Sequence, residues 1–478
     1  MSQTEYVPRD VNALNELLLG NAYIAPNNSA RPFMTFNEVL SDDWACAAIN
    51  GNNANNATKY TKYKPLYSWH PQLFEKLREN SADWNVWQST YQYILGSNAV
   101  LDYLDGVSGS EEDKNYVRGQ AYALRAFYYF NLVNLFGEPY NYNKKAPGVP
   151  LKLDSDQNPD FPVRATVEEV YNQIDKDLDL AEASFNALPA AKRFIKTGRI
   201  NLPMIQLLKA KVALFKEDYS QVIVYANKVV QDWGLSLLDL NAFTQVAATP
   251  YYPFSSYNNP EAIWLYGNTQ DMNRWAVETI NTTTAGAARR MFNASPSLLN
   301  SFAANDLRKS NYILKESTAQ QTTFVPSGKL PVNTAYAAIT TQFAKAVRLS
   351  EACMMLAEAY YFTNKPADAV QVLETLRKKR YKNTSGDEYK VPAASVSGAG
   401  LLAFIKEERR RELCFENTRW YDQRRWGMES FSREWKEEGT VTVFTMEKND
   451  PAYTLPIPQT AMQKNPNLVQ NKLATPKY

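Results

Sequence analysis

Apolar residues recur at helical spacing through much of the chain, most clearly in residues 116 to 136, YVRGQAYALRAFYYFNLVNLF. Val117, Ala121, Leu124, Tyr128, Leu132 and Leu135 follow one another at steps of three or four, which keeps them on one face of an α-helix. Gly137 and Pro139 supply the stop. Phe127, Phe130 and Val133 widen the stripe, so this helix is predicted to pack on more than one side, as an inner helix of a bundle or solenoid does. A second stripe, Trp87, Tyr91, Ile94, Asn98 and Leu101, lies upstream, and the two together predict a helical hairpin.

Three further segments read as helices: Thr166 to Asn186, Leu202 to Asp232 with a break near Glu217-Asp218, and Val347 to Tyr381 with a break at Asn364-Lys365-Pro366. The last two resemble each other. LLKAKVALFKEDYSQVIVYANKVV and MMLAEAYYFTNKPADAVQVLETLR each run small and aromatic residues into a short polar turn, then into a second helix bearing Ala226 or Ala369. That is the pattern of tetratricopeptide repeats, in which small residues let paired helices approach closely; unrelated amphipathic hairpins would give a similar pattern. Between the helical blocks the character changes. Residues 50 to 69, NGNNANNATKYTKYKPLYSW, are Asn-rich and then aromatic, and residues 241 to 340 show little periodicity, so both are expected to be irregular loops.

Charge narrows the function classes. Across 478 residues, 52 Lys and Arg against 50 Asp and Glu give a net charge of +2, too balanced to point to nucleic acid, an anionic membrane or an acidic substrate. Cys46, Cys353 and Cys414 are an odd number at long separations, which fits buried thiols and neither a disulfide framework nor a metal-ligand spacing. His70 is the only histidine, which argues against a histidine base, a triad or a multi-histidine metal site; no phosphate-binding or dinucleotide glycine loop is present either. Neither a catalytic residue nor a cofactor is therefore assigned. A paired-carboxylate hydrolase stays open, because Asp and Glu are abundant. No apolar run approaches the length of a membrane span, and the chain opens directly on polar sequence, so it is expected to be soluble as written.

Over nearly its whole length the sequence resembles the SusD/RagB family. The resemblance is carried by Trp87-x3-Tyr91-x2-Ile94-x3-Asn98 followed by RGQAYALRAFYYFNLVNLFGEPY, by GVPL at 148 to 151, and by RATVEEVYNQIDKDLDLAEA. It continues through ALFKEDYSQVIVYANKVV, NNPEAIW at 258 to 264, VRLSEACMMLAEAY, IKEERRRELCFENTRWYDQRRWG and YTLPIPQTAMQKNPNLVQN. One departure is the run Glu138-Pro139-Tyr140-Asn141-Tyr142-Asn143, where the family usually has an acidic residue, a small apolar residue and Pro-Leu. The resemblance implies a mainly all-α fold: a scaffold of four tetratricopeptide-like helix pairs with an irregular, loop-rich C-terminal portion. It implies an N-terminal region, 1–235, and a C-terminal region, 236–478, packed as one unit. It further implies a non-enzymatic role, capturing oligosaccharide, or peptide in the RagB branch, for a TonB-dependent outer-membrane transporter. The place implied is the outer face of the outer membrane, reached through an export signal and a lipidated cysteine upstream of Ser2. A cytosolic tetratricopeptide scaffold binding protein tails is the competing class.

Sugar rings stack on aromatic faces while their hydroxyls need planar polar partners. Residues 50 to 70 supply that mixture in Asn50, Asn52, Tyr60, Tyr63, Tyr67, Trp69 and His70. The family places glycan sites in this loop and in the irregular segment after the third repeat, which here offers Tyr251, Tyr252, Tyr257, Arg274 and Trp275. Trp87, Trp264 and Trp420 fall within the structural blocks and are assigned to packing. The run EERRRE at 407 to 412, with Glu416, Arg419, Asp422, Arg424 and Arg425, is read as an ion network locking a helix to the scaffold, including a Glu407–Arg411 pair.

Overall fold

The computed structural model describes residues 8–24, 31–34, 36–47, 54–80, 82, 84–156, 161–242, 253–272, 274–281, 288–317, 322–330, 343–382, 386–437 and 439–478. The fold is mainly helical, as expected. The principal helices are α1 (Val11–Asn21), α2 (Ala54–Tyr67), α3 (Leu73–Glu79), α4 (Val86–Tyr103), α5 (Glu111–Phe136), α6 (Val167–Asn186) and α7 (Leu202–Phe215). They continue as α8 (Tyr219–Gln231), α9 (Leu349–Phe362), α10 (Pro366–Arg377), α11 (Gly398–Leu413), α12 (Arg419–Arg425) and α13 (Gln459–Lys464). A solenoid-like path links them: α1 packs on α4, then α4 on α5, α5 on α6, α6 on α7, α7 on α8, α8 on α9, and α9 on both α10 and α11.

Local chemistry sets the ends of these helices. Ser110 caps α5 by accepting from the Asp113 N–H, and Glu111, Glu112 and Asp113 place negative charge at the positive end of the helix dipole. Thr166 and Glu169 form a reciprocal capping box on α6, while Asn201 caps α7. Gly96 on α4 lies against α1, where a Cβ would come within 2.5 Å of the Asn21 carbonyl oxygen, so only glycine permits this approach.

The two similar hairpins share turn geometry and the spacing of their buried residues. Two residues past the end of each first helix stands a residue with positive φ, Glu217 at 61° and Asn364 at 58°. Equivalent hydrogen bonds close both turns, from the Asp218 N–H to the Ala213 carbonyl at 2.9 Å and from the Lys365 N–H to the Tyr360 carbonyl at 2.8 Å. Val222, Ala226 and Val229 of α8 match Ala369, Leu373 and Leu376 of α10 in spacing, and all six are fully buried. In this register the small residue changes place, Ala226 standing where α10 has Leu373.

Among the described residues, ten short strands form five separate antiparallel ladders. They are β1 (Trp44–Cys46), β2 (Ala262–Tyr266), β3 (Thr279–Asn281), β4 (Ala288–Arg290), β5 (Phe292–Ala294), β6 (Leu314–Ser317), β7 (Thr322–Val325), β8 (Lys345–Arg348), β9 (Phe431–Glu437) and β10 (Thr440–Met446). The pairs are β1–β5, β2–β8, β3–β4, β6–β7 and β9–β10. One extended hydrophobic cluster runs from Val11 to Leu468, so residues of both halves share a core. Polar ties cross it as well: Arg424 of α12 donates to the carbonyls of Asn134 and Gly137, and the Leu455 N–H donates to the Leu135 carbonyl at 2.9 Å. All three cysteines are buried free thiols.

The arginine-rich block is an internal ion network. Arg308, Arg348 and Arg380 are fully buried and all reach Glu412; Arg348 and Arg380 also share Glu261. Glu407 does not take part in it. It is exposed, and Arg411 Nη2 instead donates to the buried Glu408 at 2.8 Å, one residue along the helix. The expected i,i+4 pair is thus replaced by an i,i+3 pair, because the inward face of α11 carries Glu408 and Glu412.

Residues 54 to 67 also depart from expectation, forming α2 where an irregular loop was predicted. Asn, Thr and the internal Pro65 lower helix propensity here, but Tyr60, Tyr63 and Tyr67 recur at helical spacing and all three rings are buried. Tertiary burial of that face outweighs the local preference.

Candidate functional site

The structure brings together the two segments singled out in the sequence, though largely as core. Helix α2 packs on β3 and β9. Tyr63 is the centre of the junction, its ring 5.1 Å from Trp275, 5.7 Å from Phe292 and 5.9 Å from Trp84. Its hydroxyl donates to Glu278, and burial together with that carboxylate raises its pKa well above the ordinary tyrosine value. Tyr60 and Tyr67 pack on Trp435 of β9 at 5.9 and 5.3 Å.

Trp69 is also internal. Its Nε1–H donates to the Leu40 carbonyl at 2.9 Å, Phe431 meets its ring edge-on at 5.2 Å, and the Arg433 guanidinium lies 4.1 Å from the ring centroid. The same guanidinium lies 3.9 Å from the Tyr67 ring and donates to the carbonyls of Val39, Ser41 and Tyr67. His70 is buried, with Nδ1 accepting from the Gln72 N–H at 3.0 Å, and burial lowers its pKa. Tyr257 is held elsewhere, its hydroxyl donating to the Thr197 carbonyl and accepting from the Leu265 N–H at 3.4 Å. Asn50, Asn52, Tyr251 and Tyr252 lie outside the described residues. Stacking faces are thus not free on Tyr60, Tyr63, Tyr67, Trp69 or Trp275, all of which are at most 3% exposed. Their role in this arrangement is to support what lies above them.

Above them is a charged rim, of which the sequence pointed to Arg274 but not to Lys59 or Lys62. Lys59 pairs with Glu278 at 2.9 Å, the Lys62 ammonium lies 5.0 Å from the Trp84 ring centroid, and Arg274 lies 4.9 Å from the same ring. Burial lowers the Lys62 pKa, and neighbouring Arg274 lowers it further. Had residues 54 to 67 been read as a helix, the spacing of Lys59, Lys62 and Tyr63 would have placed all three on one face.

A groove of about 460 Å³ opens between α4, the segment around Pro150 and α13. Trp87, Tyr91 and Leu468 form its apolar floor, with Gln88, Gln92 and Lys464 exposed at its edge. Asn85 and Thr460 line both this groove and a small depression that reaches Trp84, the residue whose ring carries Lys62 and Arg274. Trp264 and Trp420 are core residues as expected, whereas Trp87, also buried, contributes to the groove wall. In the sequence the glutamines only flank a stripe with the spacing of packing residues. Among the described residues, no group of His, Cys, Asp or Glu is placed to hold a metal ion, and no helix is long and apolar enough to cross a membrane.

Comparison with known proteins places this architecture. Residues 13–196 match the family described as "Starch-binding associating with outer membrane", and residues 303–478 match the SusD family. SusD-like protein P25 of Formosa agariphila is 21% identical over 441 residues, covering 81% of this chain and 78% of that protein. A SusD superfamily protein from Bacteroides thetaiotaomicron has a similar structure, with a TM-score of 0.73, 20% identity, and coverage of 97% of this chain and 100% of that one. A SusD-like carbohydrate binding protein from Bacteroides vulgatus gives a TM-score of 0.70 at 19% identity, covering 98% and 99% of the two chains. With a family match in each half and the helical scaffold shared along nearly its full length, the chain belongs to the SusD/RagB family.

Proposed function

We propose that this protein binds oligosaccharides at the cell surface and delivers them to a TonB-dependent outer-membrane transporter, without cleaving them. The observation that carries the reading is the SusD-family match in both halves of the chain. Attachment to the outer face of the membrane through an N-terminal lipid belongs to the same proposal. So does the absence of catalysis, since capture and delivery require no covalent step.

The groove is the surface best suited to a saccharide. The half-buried ring of Tyr91 in its apolar floor suits the C–H face of a sugar ring, and the exposed amides of Gln88 and Gln92 can exchange hydrogen bonds with hydroxyls. Arg274 lies over the ring of Trp84, which lines the depression that shares Asn85 and Thr460 with the groove.

The test is calorimetric titration of oligosaccharides into wild type and a Gln88→Ala/Gln92→Ala variant. Both side chains are exposed, so the variant should melt like wild type while binding about tenfold or more weakly. Unchanged binding would remove the groove from the site. Binding of oligopeptides in place of sugars would move the protein to the peptide-capturing class. Affinity isolation of the native protein from detergent-solubilised outer membranes should recover a TonB-dependent transporter; recovery without one would overturn the delivery step.

A further inference from the structure

Lys62 differs from its neighbours on α2. Lys59 is paired with Glu278 at 2.9 Å and Lys64 with Glu437 at 2.8 Å, whereas no carboxylate among the described residues pairs with Lys62. Its ammonium rests on two rings, 5.3 Å from the Tyr63 centroid and 5.0 Å from that of Trp84. Burial lowers its pKa, and the charges of Arg274 and Lys59 act in the same direction against the opposing pull of Glu278. That carboxylate is already engaged by Lys59 and by the Tyr63 hydroxyl. Lys62 is therefore a half-buried cation held among like charges, a costly arrangement in the free protein.

An incoming anion would relieve that cost. Coulombic attraction there is stronger than at a fully wetted surface, because part of the surrounding water is already excluded. The position is also fixed in advance. Tyr63 is locked by Trp275 and Phe292, and Trp84 is flanked by Lys62 and Arg274, so the ammonium sits on a platform with little freedom to move. Trp84 links the two surfaces: its ring carries Lys62 and Arg274, and it lines a small depression that shares Asn85 and Thr460 with the groove.

We propose that Lys62, with Arg274 beside it, anchors a negatively charged group of the bound saccharide, so that the natural ligand is an acidic glycan bearing carboxylate or sulfate. This rests on the carbohydrate-binding reading and specifies its ligand class.

The test uses oligogalacturonate, its methyl-esterified neutral counterpart, a sulfated oligogalactan and the desulfated form of that oligomer, each titrated into the full chain. At least one acidic oligomer should bind about tenfold tighter than its neutral counterpart at roughly 50 mM salt, with the advantage shrinking at roughly 500 mM. The two acidic arms distinguish carboxylate from sulfate. Lys62→Met keeps the apolar stem on Trp84 and Tyr63, so it should melt like wild type while losing the preference for the acidic form. Equal affinity for acidic and neutral oligomers, or a preference unchanged in Lys62→Met, would overturn the charge assignment while leaving the carbohydrate reading in place. Failure of the folded protein to bind any sugar, acidic or neutral, would overturn both.

Discussion

Replacing Glu412 with Gln should destabilise the protein by about 3 kcal/mol, the lower end of the cost of breaking a buried ion pair. Glu412 is fully buried and accepts from Arg380 Nε at 2.9 Å, Arg380 Nη2 at 3.0 Å, and Arg308 and Arg348 at 3.3 Å each. Each arginine keeps another carboxylate: Arg308 has Asp306 and Glu408, Arg348 has Glu261 and Glu416, and Arg380 has Glu261. No guanidinium is left alone, which is why the lower figure applies. The loss arises because the amide removes one negative charge from the centre and turns an N–H donor toward other donors. Burial alone would raise the Glu412 pKa, but the arginines outweigh it and hold the carboxyl well below its ordinary range. A lowered folded-state pKa means stability that is present above the ordinary glutamate range and lost as pH falls, so the gap between wild type and variant should be full at neutral pH and narrow on acidification. Urea unfolding followed by circular dichroism would measure it, as a lower midpoint at unchanged slope. Glu407→Gln is the control. That side chain is exposed and should change stability by no more than about 0.5 kcal/mol. Equal midpoints for Glu412→Gln and wild type, or the larger loss in Glu407→Gln, would refute the network described here.

Trp69→Ala should lower stability by about 3 to 5 kcal/mol, since it opens a core cavity and removes the partner of the Leu40 carbonyl. A wild-type melting temperature would contradict that packing. Leu124→Ala, at a fully buried position on α5, should cost about 2 to 5 kcal/mol in the same assay. Asp43 gives a pH effect of opposite sign to Glu412: burial, only partly offset by Arg410, raises its pKa to about 6. The wild type should therefore lose stability relative to Asp43→Asn as pH rises from about 4 to 6, and parallel stability–pH curves for the two proteins would rule this out.

Helix spacing was legible wherever the buried stripe used strongly apolar residues. The α5 stripe ending at Gly137, the α7–α8 break at Glu217 and the α9–α10 break at Asn364 all lie where the sequence indicated. Helix α2 was obscured because its buried face is mostly tyrosine and much of the rest is Asn, Thr and Lys, a composition shared by binding loops. The same ambiguity hid the fate of its rings. A tyrosine with a hydroxyl partner such as Glu278 or the Cys46 N–H can be fully buried, and only the fold supplies those partners. Lys62 and Gln88 looked like ordinary surface residues, because what distinguishes them is the ring beneath one and the groove beside the other.

Binding of the intact protein to a glycan array of neutral and acidic oligosaccharides, with analysis of the recovered sugars, tests the central claim most directly. The account predicts saturable binding to at least one acidic class and recovery of every oligomer at its original length. Shortened products, or no binding to any sugar on the array, would contradict it.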